Sequence, residues 1–370
     1  MQIAQNIYSV GIIDREVEFF HAYRSPVGTT YNAYLVIDGA HRILIDCVKA
    51  RFADRFLENI REVIGEEPLT DIICNHVEPD HSGALPAVLS AYPEVTVYGT
   101  AACKRELDVY YPGMNYEFET VIANDQLETE TCTFTFIPMP MVHWPDSMST
   151  YLAEQKILFS NDAFGQHIGT GELLDSELSR EYFLQRASEY YGTIVLPFGG
   201  QVTKLLDAAH ELDIEIVCPS HGVIIETYLD DIVAKYRSWA AGEVDEKQAT
   251  IIFDTMWGTT AKMAERIKDE YESKGLCVRM FNLSEEHYST AMAYILESKY
   301  IAVGSPTLNN QMLPNVAAFL VYAKGLKPKN RIGRAFGSYG WSGESIRYIQ
   351  AELESMGFEI EEAYKAQWNI

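Results

Sequence analysis

Cysteine is scarce. Cys47, Cys74, Cys103, Cys132, Cys218 and Cys277 lie scattered through 370 residues and no two form a C-x-x-C pair, which excludes a zinc ribbon or an iron–thiolate centre and offers no disulfide framework. They read as reduced thiols of a cytoplasmic protein, mostly buried as small apolar groups. Basic residues are also few: 29 lysines and arginines stand against 53 aspartates and glutamates, a formal charge of −24. The long-range field of such a chain opposes phosphate backbones and anionic membranes. Nucleic acid and membrane partners are therefore excluded. No uncharged apolar run approaches the ~20 residues that cross a bilayer. The start, MQIAQNIYSVG, has no basic segment followed by an apolar stretch, so the chain reads as soluble and not exported.

With 370 residues and 47% hydrophobic content there is material for two cores. The style of the sequence changes at the charged segment AAGEVDEKQ, residues 240–248, which is expected to be a linker between domains 1–247 and 248–370. Before it, short runs such as RILIDCV, TDIICN, TFTFIPM, KILFSND and IEIVCPS predict sheets with some covering helices. After it, strand and helix alternate strictly from ATIIFD to FEIEEAYKA, which predicts a doubly wound parallel sheet. In its first helix Met263, Ile267 and Tyr271 recur every fourth residue, and Gly275 stands where a left-handed cap ends it.

Three loops of this second half lie at the carboxyl ends of strands, beside the switch point of such a sheet. Thr255, Met256, Trp257, Gly258, Thr259 and Thr260 lead into the first helix, where free N–H groups and the helix dipole favour a phosphate; a capping threonine in a tight turn is the other reading. Ser305, Pro306, Thr307, Leu308, Asn309 and Asn310 follow the third strand, and Ser338, Tyr339, Gly340 and Trp341 follow the fourth. The half resembles a flavodoxin. That resemblance implies FMN, its phosphate on residues 255–260, its ring between the other two loops, and Trp341 or Tyr339 beside it. Alternatively Trp341 is a partly exposed aromatic over a helix end. Two departures stand out: SPTLNN supplies no aromatic for the second flavin face, and the sequence ends after its fifth strand without the closing helix of flavodoxins.

In the first half, NHVEPDHSG, residues 75–83, brings His76, Glu78, Asp80 and His81 together after a predicted strand. Imidazole with carboxylate is a ligand set for borderline and hard divalent metals, and no cysteine within the stretch points to a soft site. His143 in MVHWPDS, Asp162 in LFSNDAFG and His221 in CPSHG stand at the ends of later strands. Alone, Asp162 reads as a strand-end cap and His143 as a core histidine. Together the seven are more than one ion needs and suit two metals about 3.5–4 Å apart with one bridging carboxylate.

This pattern resembles the metallo-β-lactamase superfamily, which implies an αββα sandwich of two β-sheets flanked by helices. Its zinc hydrolases carry H-x-H-x-D-H, but Glu78 occupies the second histidine position here. The resulting H-x-E-x-D-H, joined to a flavodoxin-like half, is similar to the flavodiiron proteins, as are GTTYNAYLV, MVHWPDSM, SNDAFGQH, YYGTIVLPF and PSHG. The resemblance implies two non-haem iron ions, one on His76, Glu78 and His143, the other on Asp80, His81 and His221, with Asp162 bridging. His167 lies in a matched segment beyond the ligand count. It reads either as a residue behind the ligands, orienting one or supplying a proton, or as a surface histidine after a strand.

The family implies reduction of O2 to water, of NO to nitrous oxide, or both, with rubredoxin or a reduced deazaflavin as the separate electron donor. It also implies a head-to-tail homodimer, or a dimer of dimers, with the flavin of one subunit near the iron of the other. An anionic oxygen ligand favours oxidised iron, whereas zinc has no redox chemistry to offer an attached flavin. Two rivals remain at this stage: a di-zinc metallo-hydrolase with a regulatory flavodoxin module, and an electron-transfer module whose metals are structural.

Overall fold

A computed structural model describes residues 1–368 of the chain. It falls into two compact units, one of Met1–Glu18, Ser25–Ala187 and Gln201–Ala234, the other of Phe19–Arg24, Ser188–Gly200 and Lys235 onward. Each has its own sheets and core, and together they make the two-domain α/β fold expected from the sequence.

The first unit pairs a seven-stranded and a five-stranded sheet. In the larger, His41–Ile45, Asp71–Ile73 and Thr96–Gly99 run parallel; in the smaller, Ile157–Asn161 runs parallel to Ile216–Pro219. Ile43, Ile45 and Ile73 from one sheet meet Phe134, Phe136, Leu152, Ile157 and Phe159 from the other in a single core. Leu44 and Ile72, which point the other way along the same strands, are buried as well. Strands covered on both faces read as continuous apolar runs, which is why RILI and DII show no alternation. The parallel strands carry the chemistry: His76, Asp162 and His221 all follow the carboxyl ends of parallel strands.

The second unit has the strand order Cys277–Asn282, Asp245–Phe253, Ser298–Gly304, Ile332–Tyr339 and then the edge, all parallel, which is a doubly wound sheet. The helix Thr259–Ser273 buries Met263, Ile267 and Tyr271, and Gly275 beyond its end has φ +82°.

Two expectations need correction. Only Gly242–Val244 is irregular in the stretch expected as a linker, because the helix Leu229–Ala241 and the strand Asp245–Phe253 extend into it. The charged side chains of Asp245, Glu246 and Lys247 stay exposed while Asp245 pairs with Ser298. A strand's backbone can pair without its side chains being buried. The last strand, expected to be continuous over FEIEEAYKA, is two short ones, Glu359–Ile360 and Tyr364–Gln367, both paired in parallel to Ile332–Tyr339. The intervening charged residues leave the ladder. Among the described residues no helix is long and apolar enough to cross a membrane, and all six cysteines are free, Cys277 alone being exposed.

Candidate functional site

The short helix Pro79–Ser82 follows the strand Asp71–Ile73 and turns Asp80 and His81 inward, with Glu78 at its cap position. Oδ2 of Asp162 lies 3.5 Å from His76 Nε2 and 3.1 Å from His143 Nε2, and Glu78 Oε2 lies 3.4 and 3.2 Å from the same two nitrogens. Oδ1 of Asp162 faces the other way, 3.1 Å from His81 Nε2 and 3.6 Å from His221 Nε2. Asp80 Oδ2 completes that side at 3.4 and 3.3 Å. The seven residues singled out from the sequence thus form two groups, His76, Glu78, His143 and Asp162 on one side and Asp80, His81 and His221 on the other, and Asp162 Oδ1 reaches across to the second.

The geometry and chemistry fit metal. Ligand atoms about 2.0–2.2 Å from one ion and 90–110° apart sit roughly 3.0–3.5 Å from each other, which is the spacing within each group. His76 Nε2, His81 Nε2 and both carboxylate oxygens of Asp80 and Asp162 are buried without a hydrogen-bond partner among the described residues. Orphaned polar atoms at this density cost several kcal/mol in total, and two cations bound among them satisfy them all at once. Burial raises the Asp162 carboxyl, but the imidazoles of His81 and His143 outweigh it and hold Asp162 well below the usual carboxylate range.

Contacts behind the ligands differ on the two sides. His76 Nδ1 lies 2.9 Å from Asp146 Oδ2, which also accepts from Val77 N at 2.8 Å. His221 Nδ1 is instead 2.6 Å from the Thr30 carbonyl oxygen. His167 is buried, and its Nδ1 is 2.6 Å from the Thr29 hydroxyl, which itself lies 3.4 Å from His221 Nδ1; His167 therefore adjoins the second group without joining it. Gly222 after His221 has φ +86°, and a Cβ there would meet Gln166 Oε1 at 2.1 Å. Any larger residue would displace the turn that aims His221. Sequence reasoning left Asp146, Thr29 and Thr30 unassigned although each lies in a motif it quoted. Their only signal was membership of those segments, since the contacts join residues about 70 to 190 positions apart.

In the second unit a cleft of about 420 Å³ opens at the carboxyl ends of the strands, within the range of small-molecule sites. Met256, Trp257, Thr259, Pro306, Thr307, Leu308, Asn309, Asn310, Ser338, Tyr339, Gly340 and Trp341 line it, as sequence reasoning grouped them. Four other expected residues fasten the walls instead. Thr255 Oγ1 accepts from Gly258 N, Thr260 Oγ1 bonds Ser338 Oγ at 2.9 Å, and Ser305 Oγ accepts from Leu313 N at 2.8 Å. Ser342 and Trp368 also line the cleft and were missed. Trp368 comes from the chain end, far from any loop motif, and with Trp257 it adds the aromatic surface that SPTLNN lacks. Apolar walls, hydroxyls and the start of the helix Thr259–Ser273 suit an aromatic ring carrying a phosphate.

Comparison with known proteins places both units. The profile described as ODP family beta lactamase matches residues 29–222, and that described as flavodoxin matches residues 251–369. A protein of Moorella thermoacetica named nitric oxide reductase is 36% identical over 372 residues, spanning 99% of this chain and 93% of its own. Rubredoxin oxygen:oxidoreductase from Desulfovibrio gigas superposes with a TM-score of 0.96 at 34% identity, covering 100% of this chain and 93% of that one. The flavodiiron protein of Giardia intestinalis does so at 0.95 and 31%, covering 100% and 91%. Fold and site define an oxidoreductase built from a metallo-β-lactamase-like domain and a flavodoxin domain. The chain belongs to the flavodiiron proteins, and this membership implies FMN and a diiron centre.

Proposed function

We propose that this protein reduces O2 to water, NO to nitrous oxide, or both, at two irons held by the seven residues, with domains 1–247 and 248–370 housing iron and FMN respectively. When bound, FMN and the irons supply the redox chemistry, relaying electrons from an external donor to the gas: four with four protons per O2, or two with two protons per pair of NO. The observation that carries the reading is Asp162, whose two oxygens serve different groups of imidazoles; a site for one ion has no use for this division. His76, Glu78 and His143 hold one iron and Asp80, His81 and His221 the other. Asp146 and Thr30 keep the Nδ1–H of His76 and His221 engaged, so that each presents Nε2. His167 steadies Thr29 beside His221. The buried walls admit little water, which favours a small uncharged substrate.

Rubredoxin, or a reduced deazaflavin, fits as the donor. An acidic donor is repelled by a charge of −24, but Trp257 and Trp341, 83% and 88% exposed at the cleft mouth, offer apolar docking that needs no charge. A head-to-tail homodimer, alone or doubled, brings one subunit's flavin to the other's iron, and an active monomer in dilute solution would refute it. The free thiols suit a cytoplasmic location.

The test is amperometric consumption of O2 and of NO by iron- and FMN-loaded protein with one reduced donor. O2 loss without hydrogen peroxide assigns a four-electron oxidase, and predominant NO loss assigns a nitric oxide reductase. If neither gas is consumed while the flavin cycles, and the bound metal is zinc, the hydrolase reading replaces this one.

A further inference from the structure

The helix Ala101–Tyr110 is clasped at both ends to the loop that carries His143 and Asp146. At its start Thr100, which caps the helix by accepting from Cys103 N at 3.1 Å, donates its hydroxyl to the Asp146 carbonyl at 3.2 Å. At its end Tyr110 stacks on Trp144, centroids 6.4 Å apart, and Trp144 sets its edge against His76 at 5.1 Å. Between these clasps lies Glu106, beside the Asp146 carboxylate. Its Oε2 is shut off from solvent and takes a hydrogen bond from no N–H or O–H group among the described residues.

Asp146 is fully buried, and its oxygens already accept from His76 Nδ1 and Val77 N. Two carboxylates in contact, one of them orphaned, are stable only with a proton between them. The charges that act most strongly on Glu106 are those of Asp146, His76 and, on its own helix, Arg105. Burial first, and the charge of Asp146 next, push the Glu106 carboxyl up, against smaller opposing effects of His76 and Arg105.

We propose that Glu106 is a positioning residue of the metal centre: as the neutral acid it donates a hydrogen bond to Asp146, and so limits how strongly Asp146 pulls on the Nδ1–H of His76. This rests on His76 being an iron ligand, as proposed above. A carboxylate that pulls harder on Nδ1–H makes Nε2 a stronger donor and stabilises the more oxidised iron. Glu106 thereby keeps the iron on His76 reducible. On the other side the Nδ1 of His221 meets a neutral carbonyl instead.

The experiment is an EPR-monitored redox titration of the iron- and FMN-loaded protein across a pH series, with iron content measured alongside, for the unaltered chain, Glu106→Gln and Glu106→Ala. The glutamine keeps the donor and loses the titrating proton. Its potential should match the unaltered chain at pH 7 and stay higher at alkaline pH, where ionisation of Glu106 lowers the potential of the unaltered chain. The alanine removes the donor and should lower the potential at pH 7, a difference from the unaltered chain that disappears at alkaline pH where Glu106 itself ionises. A glutamine variant whose potential is already higher at pH 7 would mean that Glu106 is natively ionised, and the proposal falls. It falls equally if all three proteins titrate alike. Absence of both iron and the diiron signal from the unaltered chain would overturn the proposal together with the assignment of the centre, whereas a normal signal with unmoved variants overturns the role of Glu106 alone.

Discussion

Asp162 presents Oδ2 to His76 and His143 and Oδ1 to His81 and His221, so on the proposed assignment removing this one side chain would take a ligand from both ions. Asp162→Ala should bind less than one iron per chain where the unaltered protein binds two, read by metal analysis after dialysis. Asp146→Ala touches no ion directly; it should keep two iron sites but weaken affinity by roughly 10–100-fold, seen in competition with a chelator. Elsewhere in the first unit, Asp38 is buried and accepts from the hydroxyls of Thr129 and Thr131 and the N–H of Thr131 and Cys132. Burial opposes its charge, but these bonds prevail and bring its carboxyl from 3.8 down to about 2. A depressed folded-state pKa stabilises the fold fully above the unfolded value and loses that contribution as pH falls through the folded one. Denaturant midpoints between pH 4.5 and 2 should fall more steeply for the unaltered chain than for Asp38→Asn. At this scale the clustering of the seven residues was legible because four of them crowd into six positions. Asp146, Glu106 and Trp368 were not, since a lone acid or indole acquires meaning only from neighbours that folding supplies.

Strands and loops were legible wherever an apolar run met a turn. The helix Thr259–Ser273 and the parallel character of the second unit's sheet follow from periodicity and alternation. The segment 240–248 did not, because charge shows that side chains are solvated and says nothing about backbone pairing. The break within the last strand escaped for the same reason. How tightly two loops approach is also hidden in sequence. Gly337 sits so close to the loop after Ser298–Gly304 that a Cβ would stand 2.1 Å from the Ser305 carbonyl oxygen. Gly337→Ala should therefore force these two walls of the cleft apart. Overpacking of this kind costs about 1–3 kcal/mol, and FMN affinity, followed by flavin fluorescence on titration, should fall at least about tenfold.

At the scale of the molecule, the second unit is assembled from separate stretches of chain. Ser188–Gly200 belongs to it, Leu196 packs on the core of Ile252, Ile301 and Phe319, and Tyr191 sits among Tyr236 and Trp239. A fragment of residues 248–370 lacks Tyr191, Leu196, Tyr236 and Trp239. It should melt at a lower temperature than the flavin-dependent transition of the intact chain, as followed by circular dichroism. Calorimetry of the intact protein should show metal removal lowering one transition and FMN removal lowering another, because the ligand-bearing residues and the cleft belong to different units; a single transition moved equally by both would contradict this.

Three indoles, those of Trp257, Trp341 and Trp368, border the cleft. An electron-rich indole against an excited flavin ring returns it to the ground state without emission, so flavin held in this cleft should be nearly dark and flavin released from it bright. Light emitted at the flavin wavelength would then report cofactor loss in real time, in a cell extract as readily as in a cuvette.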